Sequence, residues 1–263
     1  MTDYSKFKSL GANKAVTWDF VLQNPHLPWD YRLLSMNRNI TWDIVQQNPD
    51  KPWDYAELSR NKNITWDIVQ QNPHLPWNYD NLSLNPNITW NIVQQNLDKP
   101  WNFGMLAGNK NITWDIIFNN LDYDWDFDGY YVPQNPTVTW ESVQQTPDKP
   151  WNYQMLSRNK NITWDIIQQN SHLPWDYSQV SLNPNITWDI VQQNPDVAWS
   201  WKNLSSNRNI GWDIIQTNPH LSWNYGMFSM NPNITLEIVQ QNMDLEWSWS
   251  YLSCDKPWIM EFL

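Results

Sequence analysis

One spacing governs this chain. Tryptophan recurs at Trp18, Trp42, Trp66, Trp90, Trp114, Trp140, Trp164, Trp188 and Trp212, in steps of 24 apart from one step of 26 after Trp114, and Leu236 holds the tenth place. A second series stands 11 residues after the first, at Trp29, Trp53, Trp77, Trp101, Trp125, Trp151, Trp175, Trp199, Trp223 and Trp247. The chain is therefore ten copies of one unit, typified by Thr41–Ile64, TWDIVQQNPDKPWDYAELSRNKNI. Units this short cannot each bury an apolar face alone, so they must stack on their neighbours.

Each copy is itself doubled. Asn85 to Asn91 (NPNITWN) parallels Asn48 to Asp54 (NPDKPWD), with Trp five residues after Asn in both. Half A, around Thr41 to Asn48, reads as a short helix. Thr41 is a natural N-cap, Asp43 favours the positive end of the helix dipole, and Trp42, Ile44 and Val45 supply an apolar face. Ile40 can staple the entry. Asn48-Pro49 should end the helix, Asn by adopting the left-handed conformation and Pro by refusing to continue. Half B, around Pro52 to Arg60, should begin with Pro52 in its first turn and carry Trp53, Tyr55 and Leu58 inward. Strands are disfavoured, because prolines bound both halves and no strict alternation is present.

The expected fold is all-α, an α-solenoid of ten 24-residue helix-pair repeats with two short helices each. It forms one domain over 1–263: a half-repeat cap at 1–17, repeats over 18–253 with an insertion at about 126–136, and a second cap at 254–263. The start fits a half B, since Phe7, Leu10, Asn13, Lys14 and Thr17 match Tyr55, Leu58, Asn61, Lys62 and Thr65, with Ser5 where the Trp would stand. At the other end Cys254 to Trp258 opens a further half B, and the apolar IMEFL should fold back over the last repeat. Isolated helices shorter than ~12–15 residues are marginal, so stability must come from stacking. Segment 41–88 matches 139–186 nearly residue by residue, which points to duplication of a block of several repeats.

Composition narrows the function. The 22 tryptophans make Trp a structural element, and 41% hydrophobic with 16% charged residues is enough to build a core. A net charge of −11, with 16 basic against 27 acidic residues and no basic run, argues against nucleic acid and against anionic membranes. No apolar stretch reaches the ~20 residues of a transmembrane helix. The start MTDYSKFKSL lacks the apolar core of a signal peptide. The single Cys254 excludes an internal disulfide. These features lead to the expectation of a chain that is not secreted.

Candidate chemistry is sparse. His26, His74, His172 and His220 share one phase of the repeat but lie at least two repeats apart, too far to share a metal. Asp124, Asp126 and Asp128, followed by Gly129, resemble the opening of a calcium loop, yet the twelfth place holds Asn135 instead of a carboxylate. They are retained as a weak metal candidate; no cofactor is expected. Asn-Ile-Thr at Asn39, Asn63, Asn87, Asn111, Asn161, Asn185 and Asn233 is formally a glycosylation signal, but Asn and Thr there read as turn and cap. Trp42, Trp53, Trp66, Trp77, Trp164, Trp175 and Trp188 are expected as structural core. No nucleophile, phosphate loop or dinucleotide turn is present, and carboxylates that recur identically offer no pair of unlike environments for acid–base work. The chain is expected not to be an enzyme. Variation concentrates on the two residues after the half-B aromatic, which makes Arg32, Glu57, Asp80, Met105, Gln154, Gln179, Lys202 and Met227 the candidates for contact with a protein partner.

The run NPNITWDIVQQNPDKPW resembles tandem repeats in proteins of giant DNA viruses of amoebae, over about Leu10 to Leu252. The resemblance implies production in an infected host cell, in its cytoplasm, or packaging in a virion, and it carries over no catalytic or binding residue. The expected function is a protein–protein interaction scaffold. The alternatives are a virion or viral-factory component that self-associates, and a glycan-binding module that uses exposed Trp.

Overall fold

The structure, a computed structural model, describes residues 7–262. Ser5 and the side chains from Met260 onward lie outside the described residues. Twenty short α-helices follow one another, with no strand among the described residues. They alternate between half A, for example Trp42–Gln47, and half B, for example Tyr55–Arg60. The helices form two compact units, one made of residues through Ile112 with Trp249 onward, the other of Thr113–Ser248.

Half A forms as its sequence dictates. The Thr41 hydroxyl accepts the Ile44 N–H at 3.4 Å, and the same cap recurs at Thr17, Thr65, Thr89, Thr113, Thr163, Thr187 and Thr235. Its exit differs from the expectation. No described residue has a positive φ, and Asn48 sits at φ −129, ψ 58. Asn is used there for its groups instead of its backbone freedom. Its side-chain amide donates to the Ile44 carbonyl at 2.8 Å, and its own carbonyl accepts the Trp53 indole N–H at 2.9 Å. The indole bond recurs in all ten repeats, from Trp29 to Trp247, with Thr146 supplying the carbonyl in the sixth.

Half B begins later than its sequence suggests. Pro52 and Trp53 precede the helix, which starts at Tyr55. The Trp53 N–H donates to the Lys51 carbonyl at 2.8 Å, a three-residue turn with Pro52 at its centre, where the ring-fixed φ suits an inverse γ-turn. The acid after the second-series Trp is then the N-cap: Asp54 Oδ1 accepts the Glu57 N–H at 3.0 Å. The helix was expected to start at Pro because Pro is at home in a first turn; here it shapes the approach instead.

The deepest core is aliphatic. Leu34, Leu58, Ile40, Ile64, Ile88, Ile112, Ile162 and Leu204 are at most 2% exposed, each adding ~1.5–3 kcal/mol by burial. The tryptophans form an outer layer. Most second-series rings are held between aromatic side chains of the preceding repeat: Trp53 lies 5.4 Å from both Trp18 and Tyr31, and Trp77 5.8 Å from Trp42 and 5.7 Å from Tyr55. Of the rings expected in the core, Trp53, Trp66, Trp164 and Trp175 are buried, but Trp42, Trp77 and Trp188 are only half-buried. An indole at the rim of a stack two short helices wide keeps one edge in solvent.

Between repeats runs a polar spine. Ser35 is fully buried; its hydroxyl donates to the Tyr31 carbonyl at 2.7 Å and accepts the N–H of the next repeat's cap, Asp54, at 3.0 Å. Two residues after the equivalent Ser59, buried Asn61 donates through its amide to the Ser35 and Asn37 carbonyls of the preceding repeat, at 2.9 and 3.0 Å, while its Oδ1 accepts the Asn63 N–H. Asn63 in turn donates to the Arg38 and Ile40 carbonyls, at 2.8 Å each. Ser, inner Asn and outer Asn thus tie each repeat's backbone to its predecessor within each unit, and the carbonyls that end short helices find partners this way.

In the first unit the spine joins the two ends of the chain. Asn13 donates to the Ser253 and Lys256 carbonyls at 2.9 and 3.0 Å, as Asn61 does to Ser35 and Asn37. The helix Trp249–Asp255 therefore serves as the predecessor of the first half-repeat. Lys256 takes the place of an inner Asn in this register, and it is buried, its Nζ 2.9 Å from Asp255. The end segments expected as separate caps cover one another, because the first half-repeat carries the Asn that needs a preceding repeat.

The insertion is absorbed after Phe127. Phe127 keeps the place of the half-B aromatic, 5.1 Å from Trp151, while the helix is delayed to Tyr131–Gln134. Ala107 in the fourth repeat and Pro133 in the fifth stand where the remaining repeats have the spine serine, and after Pro133 the Phe127 carbonyl accepts the Asn152 N–H instead, at 3.1 Å.

Candidate functional site

Two kinds of surface arise from this frame. The first is an aromatic groove between successive repeats. In one unit Trp66, Pro73, Pro76, Trp77 and Tyr79 line a cavity of about 550 Å³, with Asn96, Asp98 and Lys99 of the next repeat on its far side. In the other, Trp188, Pro195, Ala198, Trp199 and Trp201 line one of about 570 Å³, faced by Asn218 and Leu221. The two grooves occupy the same place in the repeat. Half-buried Trp77 and Trp188 line them, so the grooves can take a flat apolar group against an aromatic side chain. Burial pushes the Tyr79 phenol up from its ordinary range, so it stays a neutral donor at neutral pH.

The second surface is the start of each half-B helix, where variation concentrates. The structure separates the candidate pair by position. The first residue after the aromatic is exposed at Arg32, Asp80, Gln154 and Lys202 and half-buried at Ala56, Gly104, Ser178 and Gly226; the second is half-buried between repeats, as in Glu57, Met105, Gln179 and Met227. Glu57 accepts from Arg32 of the preceding repeat at 2.9 Å, while Asp80 Oδ1 accepts from the Asn102 amide at 3.0 Å. Glu57 Oε2 and Gln179 Oε1 are buried without a hydrogen-bond partner among the described residues. The backbone beneath is bridged as well: Asn81 donates to the Ala56 carbonyl and Asn203 to that of Ser178. The second residue of the pair is therefore part of the repeat interface, and only the first projects a changeable side chain.

The other candidates separate in the structure. The four histidines are exposed in the turns after half A. Asp124, Asp126 and Asp128 do not form a metal-holding group: no three His, Cys, Asp or Glu side chains among the described residues are grouped to hold a metal. Desolvation and then the neighbouring Asp128 hold the Asp126 carboxyl above the usual range, although its side chain is largely exposed. A Cβ at Gly129 would lie 1.8 Å from Asp126 Oδ2, so a side chain there would make the exposed Asp126 carboxyl turn away. The Asn-Ile-Thr asparagines are outer spine residues. The Asn87 amide nitrogen, for example, donates at 2.7 and 2.9 Å to the preceding repeat. Cys254 is half-buried, its thiol pushed up by burial and by Asp255.

No known family, curated protein or solved structure matches the chain. No helix among the described residues is long and apolar enough to cross a membrane.

The residues that sequence reasoning missed are the spine serines. Their signal was present: Leu-Ser-x-Asn recurs at Leu34-Ser35, Leu58-Ser59, Leu82-Ser83, Leu156-Ser157 and Leu204-Ser205, each Ser two residues before an inner Asn.

Proposed function

We propose that this protein is a non-enzymatic interaction scaffold that binds a protein partner through the exposed helix starts. One observation carries the reading. The positions that recur are those that hold the backbone, namely Trp, Leu, Ser and the two Asn, while the exposed position that changes from repeat to repeat, at Arg32, Asp80, Gln154 and Lys202, sits on that fixed frame. A rigid frame with varied display lowers the ordering cost of binding, as in other repeat proteins. The resemblance to giant-virus repeats supports a place of action in the cytoplasm of an infected host cell or in the virion.

The test is affinity capture with the intact chain, followed by Ala at Arg32, Asp80, Gln154 and Lys202 together. Recovery of a stoichiometric partner that the fourfold variant loses supports the reading. A partner retained in full by that variant, or no partner at all, refutes it. The aromatic grooves favour a second reading, a glycan-binding module, since Trp66–Trp77 and Trp188–Trp199 offer repeated stacking faces. Saturable quenching or shift of Trp emission by oligosaccharides would support it. Self-association into a virion or viral-factory component is the third reading, and a monomer at high concentration would remove it.

A further inference from the structure

The charges of this acidic chain are sorted by their place in the repeat. The corner from half B to the next half A, Met36–Ile40 and its counterparts, holds no acidic residue from the first half-repeat through the ninth repeat; in the tenth, Asp255 stands there, paired with Lys256. Through the ninth repeat it holds Lys14, Arg38, Arg60, Lys62, Lys110, Arg158, Lys160 and Arg208, half of the chain's 16 basic residues. None of these eight is in an ion pair among the described residues; the four ion pairs there use Arg32, Lys51, Lys99 and Lys256. All are exposed except Arg158, which is half-buried. In the second unit they line a cavity of about 420 Å³, with Arg158, Lys160 and Arg208 around a floor that includes Leu182, Pro184 and Pro232. The nearest recurring acids, such as Asp165, line a different groove with Trp164 and Gln193.

The backbone that carries five of these cations is fixed in position. The outer Asn of each following repeat grips the backbone carbonyl of the basic residue: Asn39 that of Lys14 at 2.9 Å, Asn63 that of Arg38 at 2.8 Å, Asn87 that of Lys62 at 2.7 Å, Asn185 that of Lys160 at 2.6 Å and Asn233 that of Arg208 at 2.7 Å. The residues that hold the repeats together therefore also space the charges. We propose that, within each unit taken by itself, this corner is a docking edge for an extended acidic segment of a partner protein, whose carboxylates meet Lys14, Arg38 and Lys62 in the first unit or Arg158, Lys160 and Arg208 in the second.

The spacing selects the ligand. Packed helices lie ~8–10 Å apart and a polyproline-II chain advances ~3.1 Å per residue with three residues per turn, so an acid at every third residue stays on one face and meets one repeat after another. A nucleic acid duplex carries a charge about every 1.7 Å, denser than one or two cations per repeat, and the net charge of −11 repels a long polyanion. The prolines at Pro86, Pro136, Pro184 and Pro232 replace the cation in alternate stretches and present an apolar contact to the peptide instead. This proposal rests on the scaffold reading and names the chemistry of the partner.

The experiment uses the whole chain and a fluorescein-labelled peptide with Glu at every third position, followed by fluorescence polarisation. Controls are the same peptide with Lys for Glu, a peptide with its Glu residues in one block, and an oligothymidylate of equal charge. The expected result is saturable binding of the spaced acidic peptide that weakens by at least about tenfold as salt rises, as exposed charge contacts are screened. Binding should fall by about tenfold or more in Lys14→Gln/Arg38→Gln/Lys62→Gln and in Lys160→Gln/Arg208→Gln, and hold in Lys51→Gln, which lies off the edge in the turn before half B. All five edge substitutions are at exposed positions, and unchanged circular dichroism verifies the fold. No binding at low salt, binding indifferent to these substitutions, or preference for the blocked peptide or the oligonucleotide overturns the proposal. So does a concentration-dependent dimer abolished by the same substitutions, which would make a second copy the occupant. A cellular partner still captured by both edge variants defeats this edge alone; absence of any captured partner defeats the scaffold reading.

Discussion

Asn85→Ala should reveal how much one rung of the polar spine contributes. The Asn85 side chain is fully buried. Its amide donates to the Ser59, Asn61 and Ile64 carbonyls at 2.8, 3.0 and 3.1 Å, and its Oδ1 accepts the Asn87 N–H at 2.8 Å. Two of the carbonyls keep a second donor: Asn61 has the Ile64 N–H and Ile64 has the Asn87 amide. The Ser59 carbonyl and the Asn87 N–H lose the partner described. A buried polar group left without a partner costs ~1–3 kcal/mol, so two give a loss of about 2–4 kcal/mol, allowing some hydration at the corner. Asn87→Ala should cost no more than about 1 kcal/mol, since the Lys62 carbonyl it frees lies at an exposed corner and can turn to water. Asn85→Asp should be worse than Ala at neutral pH, because it aims a buried carboxylate at carbonyl oxygens. Its folded pKa is raised above the unfolded ~3.9, so stability is retained at acid pH and lost as pH rises through the folded pKa. Urea midpoints with hydrogen exchange at the amides of residues 59–64 would measure all three. Equal midpoints for Asn85→Ala and Asn87→Ala would refute the reasoning.

Deleting Trp249 onward removes both carbonyl partners of Asn13 and should speed hydrogen exchange at the amides of Leu10 to Val16 relative to the rest of that unit; unchanged protection would show that the chain ends do not support one another. Ser59→Ala removes a hydroxyl that donates to the Tyr55 carbonyl at 2.7 Å and accepts the Asn78 N–H at 2.9 Å, and should cost about 1–2 kcal/mol in urea unfolding; a change of only a few tenths would mean that the serine column does not hold repeats together. Asp126, with its carboxyl raised by desolvation and by Asp128, favours the protonated form in the folded state. Its contribution is thus present below the unfolded ~3.9 and lost as pH rises through the folded value. Asp128→Asn should move the Asp126 titration, followed by carboxyl NMR, downward without restoring the ordinary value, since desolvation remains; no movement would remove Asp128 as a cause.

What the sequence made legible was whatever acts within one repeat. Trp spacing set the period, Thr41 before Trp42 set the cap, and Asn-Pro set the end of half A. What it concealed acts between repeats. The Asn five residues before Trp was visible as a pattern, yet its purpose is to lend a carbonyl to the Trp53 indole, which only the folded turn reveals. Ser59 and Asn61 are polar residues in a core, and nothing local distinguishes them from surface polarity; their reason lies in bonds to residues 19 to 26 positions away. The start of half B was misplaced by the dual character of Pro52, equally at home in a first helical turn and in the tight turn before one. The half-buried second residue of the variable pair was likewise hidden, because freedom to vary does not imply exposure when two neighbouring repeats can vary together, as Arg32 and Glu57 do.

The bonds from Asn13 to Ser253 and Lys256 also set an order of events during synthesis. The partners are 240 and 243 residues apart, and ribosomes add ~5–20 residues per second. The first half-repeat therefore leaves the ribosome roughly 10–50 s before its permanent neighbour exists. Throughout that interval the face carrying Phe7, Leu10 and Asn13 is a vacant seat shaped for a half-B helix, and every later copy of that helix, on this chain or on a nascent neighbour, is a near match for it. The departures that mark the true occupant, a helix prolonged to Asp255 and Lys256 in place of an inner Asn, then act as a label that lets the last repeat be told from the nine before it.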